Sequence, residues 1–108
     1  MLYIEGTTIR MTRGDTVYLS IALKTKDEVY EMSSDDTLTL SVKRAIHNSD
    51  YVFQKISTGS NEFHIEPADT TALAFGEYLY DVQLNTGDGD VYTVIPPSTL
   101  KLLSEVTC

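Results

Sequence analysis

Apolar residues recur at every second position along much of this chain. The clearest run is Gly76–Leu84, where Tyr78, Tyr80, Val82 and Leu84 fall on one side and Leu79, Asp81 and Gln83 on the other. Period two over that length predicts a strand with one buried face. Val17, Leu19, Ile21 and Leu23 alternate in the same way with Tyr18, Ser20, Ala22 and Lys24. Leu38, Leu40 and Val42 alternate with Thr37, Thr39, Ser41 and Lys43, whose β-branched members suit a wet strand face. Phe63 and Ile65 sit inward between Glu62, His64 and Glu66. Shorter extended segments are expected at Leu2–Glu5 and Thr8–Thr12, with Ile4, Ile9 and Met11 inward, and at Val29–Met32 as an edge strand. Tyr51–Ile56 also reads as a strand, its inner face left open between Val52/Ile56 and Tyr51/Phe53. Val91–Ile95 and Leu100–Val106 complete the set.

Turn chemistry separates these runs. Arg13–Thr16, Lys26–Glu28, Ser33–Asp36, Ser57–Asn61 and Thr86–Asp90 are rich in Gly, Asp, Asn and Ser, which tolerate tight turns. Arg44–Asp50 is polar around Ile46 and reads as a loop. Pro67 ends the strand before it, and Pro67–Leu73 can form one helical turn with Glu66 or Asp69 serving its N-terminal end. Pro96-Pro97 is expected to break the ladder. A polar crossover, Asp69–Gly76, then leads into Gly-x-Tyr at a strand start, the way the sixth strand of an immunoglobulin-like sandwich often begins. The expected fold is all-β: one domain over residues 1–108, an immunoglobulin-like antiparallel β-sandwich of about seven to eight strands, with a small partly closed barrel as the alternative.

Composition narrows the function classes. A chain of 108 residues buries roughly 65% of its unfolded surface, enough for one core. Its net charge of -8 argues against nucleic acid and anionic membranes, since phosphate affinity comes from clustered Lys and Arg. No stretch has the length of a membrane span. The lone cysteine, Cys108, leaves no intrachain disulfide and no structural zinc site of four cysteines or of two cysteines with two histidines. The opening residues show no secretory pattern, so folding in a cytoplasm is expected.

Candidate chemistry is sparse. Arg13-Gly14-Asp15 spells an integrin-ligand tripeptide, but Gly with Asp is ordinary turn chemistry. Asp88/Asp90 and Asp35-Asp36 offer paired carboxylates without the further oxygens that calcium takes. His47 and His64 lack a nucleophile motif beside them. No catalytic, metal or cofactor-binding residue is assigned, and an enzyme is not expected. The seven tyrosines, with no tryptophan, are the more informative set. Tyr78 and Tyr80 point inward; Tyr18, Tyr30 and Tyr92 are the candidate interaction residues, because an exposed tyrosine offers apolar area with a polar tip.

Three runs in order carry a resemblance: Ile9–Thr16, Ile65–Thr70, and Gly76–Leu84 continuing through Asp88–Pro97. Together they resemble small proteins of phages and prophages of Gram-positive bacteria, and the immunoglobulin-like opening domains of phage baseplate and tail proteins. The resemblance spans nearly the whole chain, and its motifs are structural. The longer baseplate proteins continue into a coiled coil or receptor-binding region, so a sequence that stops at Cys108 is expected to be either a free-standing accessory piece or an excised domain. The resemblance implies a non-catalytic tail, baseplate or head-decoration component. Its partners would be other phage structural proteins or copies of itself, and its place the cytoplasm during assembly and then the virion. The alternative from a different class is a carbohydrate- or surface-binding module of a bacterial protein that uses exposed tyrosines.

Overall fold

The computed structural model describes residues 3–5, 8–25, 28–44 and 51–104. Its strands are β1 (Tyr3–Glu5), β2 (Thr8–Thr12), β3 (Val17–Ser20), β4 (Lys24–Thr25), β5 (Glu28–Val29), β6 (Thr37–Lys43), β7 (Phe53–Thr58), β8 (Glu62–Ile65), β9 (Gly76–Asn85) and β10 (Val91–Leu103), with one helical turn, α1 (Pro67–Thr70), before β9. The fold is all-β. Six strands form one mixed sheet in the order β1-β2-β10-β9-β6-β7, which curls into a half-barrel. The pairs β3–β8 and β4–β5 form separate two-stranded ladders.

The alternating residues make the core. Tyr78, Tyr80, Val82 and Leu84 of β9 are buried with Leu38, Leu40 and Val42 of β6. The register puts Leu38 opposite Leu84, Leu40 opposite Val82 and Val42 opposite Tyr80, so both strands turn the same set inward. Val17 and Leu19 of β3 pair with Ile65 and Phe63 of β8, and all four join the same buried cluster. Burying each such side chain contributes roughly 1.5–3 kcal/mol. Ile9 and Met11 are buried opposite Leu100 and Leu102.

The structure departs from expectation at several places. The sheet is not wholly antiparallel, because β2 runs parallel to β10. The strand count rises to ten among the described residues, since β4 and β5 form a short hairpin of their own. The edge strand expected at Val29–Met32 stops at Val29. Ile21 and Leu23 are buried yet lie beyond the β3 ladder, which ends at Ser20. Pro96 and Pro97 do not break β10; the strand runs through them with register shifts against β9. This is possible because β2 reaches only Leu100–Leu103, so the prolines need donate nothing on that side.

The open question at Tyr51–Ile56 is resolved by register. Lys55 lies opposite buried Leu40, so the Phe53/Lys55/Ser57 face turns inward and Ile56 turns out, 64% exposed. Lys55 then pairs with Asp69 at 3.0 Å, covering this edge of the sheet with the helical turn. The loop expected over Arg44–Asp50 lies, from residue 45 on, outside the described residues, as do Lys26, Asp27, His47, Cys108 and the end of the strand drawn to Val106.

The helical turn forms as its sequence suggests. Glu66 caps it, with reciprocal bonds between Glu66 and Asp69. Thr70 is fully buried, and its hydroxyl accepts the Gly14 N–H at 2.9 Å, tying α1 to the turn between β2 and β3. Thr70→Val keeps the shape but strands that N–H, so it should lower unfolding free energy in urea by about 1–3 kcal/mol, while Thr70→Ser should cost less. Equal stability of the Val variant and the native chain would show that the bond carries no weight.

Candidate functional site

The structure separates the three candidate tyrosines into two places. Tyr18 stands on the outer face of β3, 61% exposed, stacked on His64 across the β3–β8 ladder at 4.5 Å. Tyr30 and Tyr92 come together at the other end of the core, where both line a cavity of about 630 Å³ with Leu23, Leu84 and Val94.

The cavity follows from strand lengths. Tyr92 lies opposite Leu84, so it belongs to the inner face of the sheet. Yet it is 54% exposed, because the β3–β8 ladder that covers the core elsewhere ends at Ser20 and Glu62. Beyond that point the space between the layers is walled by Ala22 and Leu23 and by the ring of Tyr30. Tyr30 is held beside Leu23 by its own N–H, which donates to the Leu23 carbonyl at 2.9 Å.

Asp36 sets this end of the molecule. Only 3% of it is exposed, and its carboxylate accepts three hydrogen bonds. They come from the Tyr30 hydroxyl at 2.5 Å, the Ser33 N–H at 3.1 Å and the Gly87 N–H at 3.2 Å. Its backbone carbonyl accepts the Gly59 N–H at 2.8 Å. One side chain and its peptide thus join three loops: residues 30–36, the β7–β8 turn and the β9–β10 hairpin. The hairpin approaches so closely that a Cβ on Gly87 would lie 2.7 Å from the Asp35 Cβ.

The electrostatics follow from those bonds. The Tyr30 hydroxyl, and then the Ser33 and Gly87 amides, hold the Asp36 carboxyl below its ordinary value, although burial pushes the other way. Tyr30 is raised, first by the bond to Asp36 and then by burial and the nearby charges of Asp36 and Asp88. Charge-assisted bonds favour the carboxylate more than burial disfavours it. Sequence reading took Asp35-Asp36 as a polar turn; yet the inward series Val42, Leu40, Leu38, carried back one step, falls on Asp36, and that period was the one local sign that it is buried.

The other candidates are turns. Arg13 donates to the Leu73 carbonyl at 3.3 Å and lies 4.1 Å over the Phe75 ring, and Gly14 takes a positive φ of 85°. Asp88 and Asp90 flank a hairpin closed by Thr86: its N–H donates to the Asp90 carbonyl, and its hydroxyl accepts the Asp90 N–H. Among the described residues no three His, Cys, Asp or Glu side chains gather as a metal site. No helix among them is long and apolar enough to cross a membrane. Comparison of the chain with protein-family models, curated proteins and solved structures finds no match.

A pH series tests the Asp36 junction. Its carboxyl is lowered in the folded state, so its contribution is present above the ordinary carboxyl value of 3.8 and is lost as pH falls through the lowered one. Asp36→Asn should therefore melt below the native chain at neutral pH, with the gap in Tm shrinking in acid. A gap that stays constant from pH 7 to the acid limb would mean that ionisation of Asp36 does not matter.

Proposed function

We propose that this chain is a non-catalytic structural protein of a phage or prophage, a tail, baseplate or head-decoration component that works through protein–protein assembly on an immunoglobulin-like scaffold. The scaffold reading draws on three features. One is the β3–β8 ladder sharing its core with the larger sheet. Another is the parallel pairing of an early strand, β2, with the last, β10. The third is Tyr78, near the start of β9, whose hydroxyl donates to the Ala74 carbonyl at 2.7 Å, the corner contact typical of such sandwiches.

The observation that carries the assembly reading is the edge of β10. Its Val91–Ser98 part pairs with β9 on one side and, among the described residues, with no strand on the other. Val91 and Tyr92 are exposed there. Such an edge is either blunted or used. Partners would be other phage structural proteins or further copies of this chain, met in the bacterial cytoplasm and carried into the virion. Nucleic acid is a poor partner for a net charge of -8.

Tyr18 alone favours the alternative, a carbohydrate- or surface-binding module, because its ring is open to solvent on a flat strand face. A glycan array on which the native chain and Tyr18→Ala give the same blank result removes it.

Two measurements test the main reading. Mass spectrometry of purified virions from a producing strain should find the chain at a fixed ratio to a tail or head protein. Light scattering over a wide concentration range should show whether it assembles with itself. A strict monomer recovered only from cell extract, and never from particles, sinks the proposal.

A further inference from the structure

Resting on the assembly reading, we propose that the open stretch of β10, Val91–Ile95, is a docking edge for one extended segment of a partner protein, with aliphatic side chains entering the Tyr30/Tyr92 cavity and basic ones meeting the hairpin acids. Three observations fix the chemistry of that occupant.

The first is the backbone. Among the described residues, β10 has a strand partner on its second edge only over Leu100–Leu103. Pro96 and Pro97 have no N–H to offer, so they close the open edge at that end. What remains is Val91–Ile95, about the length of an ordinary strand, with a register shift between Thr93 and Ile95 where Val94 bulges against β9. A row of unpaired peptide groups is satisfied most fully by another strand, which supplies donors and acceptors at the same spacing.

The second is the cavity, which opens beside that edge. Tyr92, Thr93 and Val94 line it from β10, and Ala22, Leu23 and Tyr30 face them. A strand added to β10 places every second side chain on the inner face of the sheet, where Leu84 and Tyr92 already lie. Those side chains would fill the space that β3 and β8 leave uncovered. The bond to Asp36 keeps the Tyr30 ring in place as the far wall.

The third is charge. On the loops around the mouth, Glu31, Asp35, Asp88 and Asp90 are exposed. Asp88 and Asp90 belong to the hairpin that leads into Val91, so the acid lies at the start of the open edge. Lys or Arg in the incoming strand therefore belongs at the hairpin end. A second copy of this chain, also at -8, is a poorer occupant.

The test is selection of random peptides of about eight residues, one strand in length, on the immobilised full chain. Selected peptides should alternate aliphatic residues, carry Lys or Arg and lack Pro. Tyr92→Ala, which changes an exposed side chain, should weaken a selected peptide about tenfold, as loss of an interface anchor does. Ile56→Ala on the β7 edge should leave its affinity unchanged. Methylating alternate peptide nitrogens should abolish binding in one of the two possible phases and spare the other. The proposal is overturned if no peptide is enriched, if enriched peptides show no alternation, or if they bind Tyr92→Ala as well as the native chain. If the chain is nonetheless present in virions, only the edge is refuted, and the assembly contact lies elsewhere. If the chain is absent from virions but the peptides behave as described, the edge stands and the phage setting falls.

Discussion

The buried carboxylate of Asp36 is the constraint on which one end of this molecule depends. It lies in the turn just ahead of β6 and takes hydrogen bonds from Tyr30, Ser33 and Gly87, while its peptide carbonyl takes one from Gly59. Each of these loops also has bonds of its own, such as Thr86 with Asp90 and Ser57 with Ser60, but Asp36 is what joins one to another. A carboxylate is well suited to the role, because its two oxygens accept several donors at once. Its burial is costly without those donors, so each loop that supplies one helps to hold the other two in place.

That junction shapes the neighbouring surface. With the hairpin drawn against residues 33–36, β10 begins at a fixed place relative to β6 and β9. The Tyr30 ring, tethered through its hydroxyl, stands opposite Tyr92 across the cavity. The β3–β8 ladder ends before it reaches this level, so among the described residues neither strand covers the inner face of the sheet there. A rim tied down by hydrogen bonds is in part preorganised, and preorganisation lowers the entropic cost of ordering an interface. The opposite end of the molecule is closed differently. Thr70 joins α1 to the β2–β3 turn, and Arg13 bridges to Leu73 and Phe75. The far sheet edge at β7 is covered in part by the Lys55–Asp69 pair.

Much of the fold was legible from period and turn chemistry. Every buried position of β9, β3 and β8 follows from alternation, as do Leu38, Leu40 and Val42 of β6, where Ser41 is the exception, buried on the face expected to be wet; the helical turn with its Glu66/Asp69 cap follows from Pro67 and the acids beside it. The misreadings share a cause. Ile21 and Leu23 continue the alternation of β3 but lie outside its ladder, their backbones bonded to Asn61 and Tyr30 instead, because burial and ladder pairing are separate requirements. Pro96-Pro97 reads as a break only if both edges of the strand need N–H donors. Of the candidate site, Tyr30 and Tyr92 were recognised as single residues, but nothing local placed them in one cavity or grouped Tyr18 elsewhere.

By itself, then, the sequence determined the all-β class, the inward set of each strong strand, and an acidic surface unsuited to phosphate. These are properties of neighbouring residues: a side-chain period of two, the φ that Gly and Pro allow, and a sum of charges. Only the tertiary structure decided that β2 runs parallel to β10, that Ile56 faces solvent while Lys55 faces in, and that Asp36 is buried at a three-loop junction. It also decided that Val91–Ile95 lies beside a cavity and, among the described residues, has a strand partner on one edge only. Each of these depends on which distant segments meet and in what register, and partners tens of residues apart leave no periodic mark on the chain.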